Sequence, residues 1–133
     1  MNGTIRAMAG AGVSISNGRV ERLTVSDNRR AILVRYTGSV TTDETFRNGG
    51  LVVGNRISGN AGEGISCVAC TVIGNTVLNN GSVGLFAEAV AYGENLFWGN
   101  NSNGTQVELH EHSASGSSRQ TAANSCNGSP CPD

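Results

Sequence analysis

Residues 54–65 read GNRISGNAGEGI, and residues 74–85 read GNTVLNNGSVGL. The two segments are 20 residues apart, and their asparagines, glycines and apolar residues coincide. Residues 93–104, GENLFWGNNSNG, form a third and fading copy. Similarity at a fixed period is the signature of a repeat architecture, in which each repeat buries its apolar side against its neighbours.

Six positions of the repeat keep this period, two of them asparagine, one glycine and three apolar, and one apolar column lapses at Thr105. They are Asn55, Asn75 and Asn95; Asn60, Asn80 and Asn100; Gly64, Gly84 and Gly104; Ile57, Val77 and Phe97; Val52, Val72 and Tyr92; and Ile65 and Leu85. Short β-branched runs predict strands, and the glycines and asparagines between them predict tight corners, where asparagine tolerates a left-handed backbone. Repeats stacked ~4.8 Å apart would align the asparagines into hydrogen-bonded ladders.

The period continues upstream with one interruption. Spacings of 20 separate Ile5 from Val25 and Val13 from Leu33, whereas spacings of 32 separate Val25 from Ile57, Asn28 from Asn60 and Leu33 from Ile65. The difference predicts a 12-residue insertion within the polar stretch from Tyr36 to Gly50. We therefore expect a solenoid over residues 1–112 with an inserted loop at about 36–50, followed by a Ser/Gly-rich C-terminal cover or tail over residues 113–133.

The repeat predicts an all-β protein: a right-handed, single-stranded parallel β-helix of about five 20-residue coils, about 24 Å long. A leucine-rich repeat has a similar period, but its pattern requires leucine where Asn55, Asn75 and Asn95 stand. An α-helical repeat is inconsistent with the 19 glycines and with the absence of a 3.6-residue period.

Composition narrows the function classes. The net charge is −1, charged residues make up 14% of the chain, and all nine basic residues are arginines. No broad basic surface for nucleic acid is expected, and no apolar run is long enough to predict a membrane span. The N-terminus lacks the layout of a signal peptide, and residues 1–5 resemble the middle of a repeat. We expect an upstream portion of the natural protein to be missing; the alternative is a cytosolic protein without a signal.

The segments at 54–65 and 74–85 resemble the right-handed parallel β-helix repeat family within the pectate-lyase-like superfamily. Both contain that family's motif of two asparagines around an apolar residue, followed by glycine and an aliphatic residue. The resemblance covers about residues 1–107, and the closing NSCNGSPCPD is similar to the C-terminal end of secreted bacterial members. It implies the fold, but the family includes lyases, hydrolases, epimerases, adhesins and phage tail proteins, so it does not assign an activity.

Polysaccharide lyases of this family use an arginine base with calcium held by acidic residues, and its hydrolases use clustered aspartates. This chain has only three aspartates, Asp27, Asp43 and Asp133, at no shared coil position, so we assign no catalytic residue. We expect no cofactor, and calcium has no support beyond the resemblance. The candidate ligand site combines arginines next to Asp27 with charges of the inserted loop, because long loops on rigid scaffolds often bind ligands. Its residues are Arg29, Arg30, Arg35, Asp43, Glu44 and Arg47.

A second candidate site is the segment ELHEH. On a strand, Glu108, His110 and His112 would share one face, and two imidazoles with a carboxylate can bind a transition metal. The alternative is an ordinary polar strand face.

The four cysteines predict two local disulfides, Cys67–Cys70 and Cys126–Cys131, in an oxidising compartment. Cys67 and Cys70 form a CxxC motif, but no βαβ pattern surrounds it that would indicate a thioredoxin-like site. The alternative is four reduced thiols.

These features favour a non-catalytic, secreted or cell-surface module that binds carbohydrate, mediates adhesion or acts as a scaffold. Tyr36, Tyr92 or Trp98, if exposed, could stack on a sugar ring. The alternatives are a lyase or hydrolase of acidic polysaccharides and a stacking segment of a surface or phage fibre protein. The expected partner is a polysaccharide, and an open N-terminal coil would favour self-association.

Overall fold

The computed structural model describes residues 3–35, 50–110 and 118–131, and this part of the chain is all-β. Its only helical element is one 3₁₀ segment, Asn100–Asn103, and no helix there is long and apolar enough to cross a membrane. The inserted segment predicted at 36–50 lies outside the described residues except for Gly50.

The described strands, numbered along the chain, form three sheets. Sheet A contains β1 (Gly3–Arg6), β4 (Leu23–Ser26), β7 (Arg56–Ser58), β10 (Thr76–Leu78), β13 (Leu96–Trp98), β16 (Ser125–Cys126) and β17 (Ser129–Pro130). Sheet B contains β2 (Ala11–Ser16), β5 (Arg30–Arg35), β8 (Ile65–Val68), β11 (Leu85–Glu88) and β14 (Val107–His110). Sheet C contains β3 (Gly18–Glu21), β6 (Gly50–Val53), β9 (Thr71–Ile73), β12 (Ala91–Gly93) and β15 (Arg119–Gln120).

Consecutive strands join sheets A, B and C in turn, so neighbours within a sheet are three strands apart along the chain. Each A–B–C triplet is called a repeat here, from repeat 1 (β1–β3) to repeat 5 (β13–β15). All pairings described are parallel except that of β16 with β17. Residues 118–131, beyond the boundary expected at 112, add β15 to sheet C and β16 to sheet A.

The predicted stacking of sheet A is confirmed. Val77 pairs with Ile57 on one side and with Phe97 on the other, and all three side chains are fully buried. Inward side chains from the three sheets form one hydrophobic core, which includes Val25, Val77 and Phe97 of sheet A, Ile32, Ile65 and Leu85 of sheet B, and Val52, Val72 and Tyr92 of sheet C. The period of 20 residues therefore reflects residues stacked in register.

The predicted register of β5 is wrong by one residue. Ile65 pairs with Ile32 rather than Leu33, and Ile32 pairs with Val13. The corner from Asn28 to Ile32 is one residue shorter than the corner from Asn60 to Ile65. Since Val34 pairs with Cys67 and Val52 with Val72, the chain between β5 and β6 is 13 residues longer than that between β8 and β9. The net difference of 12 in the sequence combines these two changes.

The lapse of an apolar column at Thr105 is also a change of corner length. Leu85 pairs with Val107, which is 97% buried, so the column continues two residues later than expected. The 3₁₀ segment Asn100–Asn103 lies in this longer corner.

The two predicted asparagine ladders are confirmed. In the first, the backbone N–H and Nδ2 of Asn55 both donate to Oδ1 of Asn75, at 3.0 and 2.9 Å, and Asn75 donates in the same way to Asn95. The second ladder comprises Asn28, Asn60, Asn80 and Asn100. These side chains are at least 97% buried, so each ladder satisfies polar groups that water cannot reach.

A glutamine follows the last asparagine of each ladder. Asn100 donates through its backbone N–H and Nδ2 to Oε1 of Gln106, at 3.0 and 2.9 Å. The first ladder passes from Asn95 to Asn124, which donates to Oε1 of Gln120. At the other end, the backbone N–H groups of Met8 and Leu23 donate to the ladders.

Candidate functional site

The outer face of sheet A carries two rows of side chains that cross the strands. The first row is Thr4, Thr24, Arg56, Thr76, Leu96 and Ser125, and the second is Arg6, Ser26, Ser58, Leu78 and Trp98. Neighbours within a row are on adjacent strands, about 4.8 Å apart along the backbone. Because strand residues alternate between faces, these side chains point away from the core that Val77 and Phe97 occupy.

The rows are apolar at the repeat 5 end. Trp98 is 50% exposed and Leu96 39% exposed, while Leu78 is partly buried beside Trp98. Exposed apolar groups gathered on one face, rather than scattered singly, mark an interaction surface. We call Leu78, Leu96 and Trp98 the Trp98 platform.

The rows become polar toward repeat 1. Thr76 and Ser58 adjoin the Trp98 platform, and Thr24 and Ser26 follow on β4. Arg56 stands between Thr24 and Thr76 and forms no ion pair with any described residue. This part of the face therefore offers hydroxyl groups and one guanidinium to a ligand that also contacts the Trp98 platform.

A turn at the C-terminal end of sheet A lies against Trp98. Asn127 and Gly128 join β16 to β17, and both have positive φ, 51° and 81°. A Cβ atom on Gly128 would stand 3.4 Å from Cζ3 of the indole. Oδ1 of Asn127 accepts a hydrogen bond of 2.8 Å from the N–H of Gly99, the residue after Trp98.

The arginines of the predicted ligand site lie at two different corners. Arg29 and Arg30 are at the start of β5, whereas Arg35 is its last residue, about 16 Å from Arg30 along the strand. Nε of Arg30 is 3.0 Å from Oε2 of Glu63. Asp43, Glu44 and Arg47 lie outside the described residues, so their position relative to the arginines stays a prediction.

Two shallow grooves flank Arg29 and Arg30 at the shortened corner. One, of about 250 Å³, also contacts Ala61, Gly62 and Glu63, and the other, of about 170 Å³, contacts Gly10, Ala11 and Leu33. The missing residue between Asn28 and Ile32 accounts for a depression between the longer corners on either side.

Two members of the predicted metal site are adjacent on β14. Nε2 of His110 is 2.7 Å from Oε1 of Glu108, and the imidazole packs against Phe86 with ring centroids 4.5 Å apart. His112 lies outside the described residues, and the described part contains no group of three metal-binding side chains. A three-ligand site at this position is therefore untested.

Both predicted cysteine pairs are disulfide-bonded, Cys67 with Cys70 and Cys126 with Cys131. Cys67 and Cys70 are fully buried in the core, between β8 and β9. Burial keeps this CxxC motif away from a redox partner, which favours a structural role. Cys131 is 95% buried and closes the turn beside Trp98.

Of the three tyrosine and tryptophan candidates for sugar stacking, Tyr92 is ruled out because it is fully buried in the core of sheet C. Tyr36 lies outside the described residues. Trp98 is exposed, and its neighbours Leu78 and Leu96 were not identified from the sequence. The period could have found them: all three residues flank Val77 or Phe97, which occupy an inward column.

Comparisons of the chain with known proteins found no matching family model, no matching curated protein and no matching solved structure. The resemblance of residues 54–65 and 74–85 to the parallel β-helix repeat family therefore stays a prediction.

Proposed function

We propose that the protein is a non-catalytic, secreted glycan-binding module, built on a right-handed parallel β-helix and binding through the outer face of sheet A. The order of the strands supports the β-helix, since the chain visits sheets A, B and C in rotation and the three sheets share one core. Two disulfides are compatible with an extracellular protein.

The observation that carries the proposed function is the Trp98 platform beside rows of hydroxyl groups. A pyranose ring has an apolar face of C–H groups and a rim of hydroxyls. The indole is a large, rigid apolar surface that loses little conformational entropy on binding. Ser58 and Thr76, on the neighbouring strands, are placed to hydrogen-bond the hydroxyls of a ring stacked on Trp98.

Retention on insoluble polysaccharides tests this function. The protein is incubated with cellulose, chitin, xylan and cross-linked pectate, and bound and free fractions are measured. We expect retention on at least one of them and a loss of about tenfold or more in affinity for Trp98→Ala, because stacking residues contribute on the order of 2 kcal/mol at binding hot spots. Phe86→Ala is the matched control, since Phe86 is a partly buried aromatic residue on the outer side of sheet B.

Two outcomes of this assay count against the proposal. Equal loss of retention for Trp98→Ala and Phe86→Ala would remove sheet A as the binding face. Release of soluble or unsaturated sugars by the wild-type protein would favour the alternative of a lyase or hydrolase.

A second candidate function, as a stacking segment, is favoured by the exposed end at repeat 1. Val13, Ile15 and Leu23 pack on the core but are only partly buried, and they line a groove of about 290 Å³. The outer edges of β1, β2 and β3 have no partner strand in the described part of the chain. Open edges of this kind promote association. Sedimentation across a concentration series tests this function, and a monomer at every concentration would contradict it.

A further inference from the structure

We infer that the disulfide-closed turn at residues 126–131 is the positioning element of Trp98, and that it sets the affinity of the glycan site. The inference rests on the proposed function of sheet A. It adds a role for Cys126, Asn127, Gly128 and Cys131, which are far from the first repeat in sequence and which neither row of the binding face includes.

The first step of the argument is the contact between the turn and the indole. Trp98 is on β13, next to β16, which leads directly into the turn. Gly128 packs beside Cζ3 and Cη2 of the ring, on the opposite side from the neighbour Leu78 on β10. Half of the side chain is exposed, so contacts on these two sides restrict its rotamers.

The second step is how the turn itself is held in place. The N–H of Asn127 donates to the carbonyl of Phe97 at 2.9 Å, and Oδ1 of Asn127 accepts from the N–H of Gly99 at 2.8 Å. These two bonds bracket Trp98 in the sequence. The left-handed conformations of Asn127 and Gly128 bring the chain back toward Pro130, which pairs with Ser125.

The third step concerns the disulfide. A strand pair as short as β16–β17, two residues each, is marginal without further support. The Cys126–Cys131 bond closes it, and Cys131 is 95% buried in the core. Without the bond, we expect the turn to detach and the indole to lose the contact on one side.

A mobile indole binds more weakly because it must be ordered when the glycan binds. Immobilising one side chain typically reduces affinity about threefold to tenfold. The disulfide therefore acts on the glycan through the conformation of Trp98, with no contact of its own to the ligand.

The chain has one tryptophan, so its fluorescence reports on Trp98 alone. Quenching by acrylamide is measured without glycan, and glycan affinity is measured separately. For Cys126→Ser/Cys131→Ser we expect quenching to rise by up to about twofold, as the half-exposed ring opens locally, and affinity to fall about threefold to tenfold. The matched control is Cys67→Ala/Cys70→Val, which removes the other disulfide and introduces the residues found 20 positions later, Ala87 and Val90. It should change neither quantity.

Asn127→Gly provides a second variant that keeps the disulfide. Glycine retains the left-handed conformation, but the hydrogen bond to Gly99 is lost. We expect a smaller rise in quenching in the same direction, with an unchanged circular dichroism spectrum. Unchanged quenching in both Asn127→Gly and Cys126→Ser/Cys131→Ser would overturn the inference, even if glycan binding by Trp98 is established. Raised quenching with no glycan binding by the wild type would instead overturn the proposed function.

Discussion

At the scale of single residues, the corners depend on positions that adopt a left-handed backbone. Gly54 and Gly74 have φ of 63° and 64°, and each directly precedes a ladder asparagine. The sequence indicated tight corners, but it suggested that asparagine would adopt this conformation. The residue before the ladder asparagine does so instead, because the ladder residue must turn its side chain inward. Arg22 and Glu94 are left-handed at equivalent positions, which their side chains could not have predicted.

Glu94→Gly should stabilise the protein by about 1 kcal/mol, since the left-handed region costs a non-glycine residue about 1–2 kcal/mol, partly offset by the entropy of glycine in the unfolded chain. Thermal unfolding measures the effect, and a rise in Tm of about 3–5 °C is expected. The converse change, Gly74→Ala, meets no atom within 4 Å and isolates the backbone term, so it should lower the Tm. A Glu94→Gly protein with a lower Tm than wild type would contradict this account.

At the scale of elements, the period predicted which residues stack but not how long each corner is. Asn75 and Val77 pair as expected because β10 has neighbours with identical spacing. Ile32 and Val107 were misplaced because a corner can lose one residue or gain two while both flanking strands stay in register. A count of residues along the chain gives only the net difference, and hydrogen bonds between strands are needed to divide it between corners.

Asn75→Ala should be among the most destabilising polar substitutions. It leaves the N–H and Nδ2 of Asn55 without their acceptor and Oδ1 of Asn95 without its donors, all in the interior. Each unsatisfied buried group costs about 1–3 kcal/mol, so we expect a loss of about 3 kcal/mol or more in the free energy of unfolding. Thr76→Ala, one residue along on the outer face, is the control for urea denaturation and should change stability by less than about 1 kcal/mol. Equal losses for the two variants would show that the ladder contributes nothing special.

At the scale of the whole molecule, the sequence predicted the all-β architecture and both disulfides more successfully than the site. It favoured charged residues, among them Arg29 and Arg35, because charges are conspicuous in a chain with few of them. The Trp98 platform depends on three sheet A residues that come together only through the pairing of β10 with β13 and through the turn at Gly128. That surface is a property of the stack, and no single repeat contains it.

The central claim is that sheet A binds glycan through Trp98, and the indole N–H resonance in a ¹⁵N-correlated NMR spectrum tests it most directly. With one tryptophan in the chain, the peak is assigned without mutagenesis. Titration with a soluble oligosaccharide of whichever polysaccharide retains the protein should shift this peak saturably, together with the methyl signals of Leu78 and Leu96. Saturable shifts confined to residues of sheet B or of the corner at Arg29 and Arg30, with the indole peak unmoved, would contradict the claim.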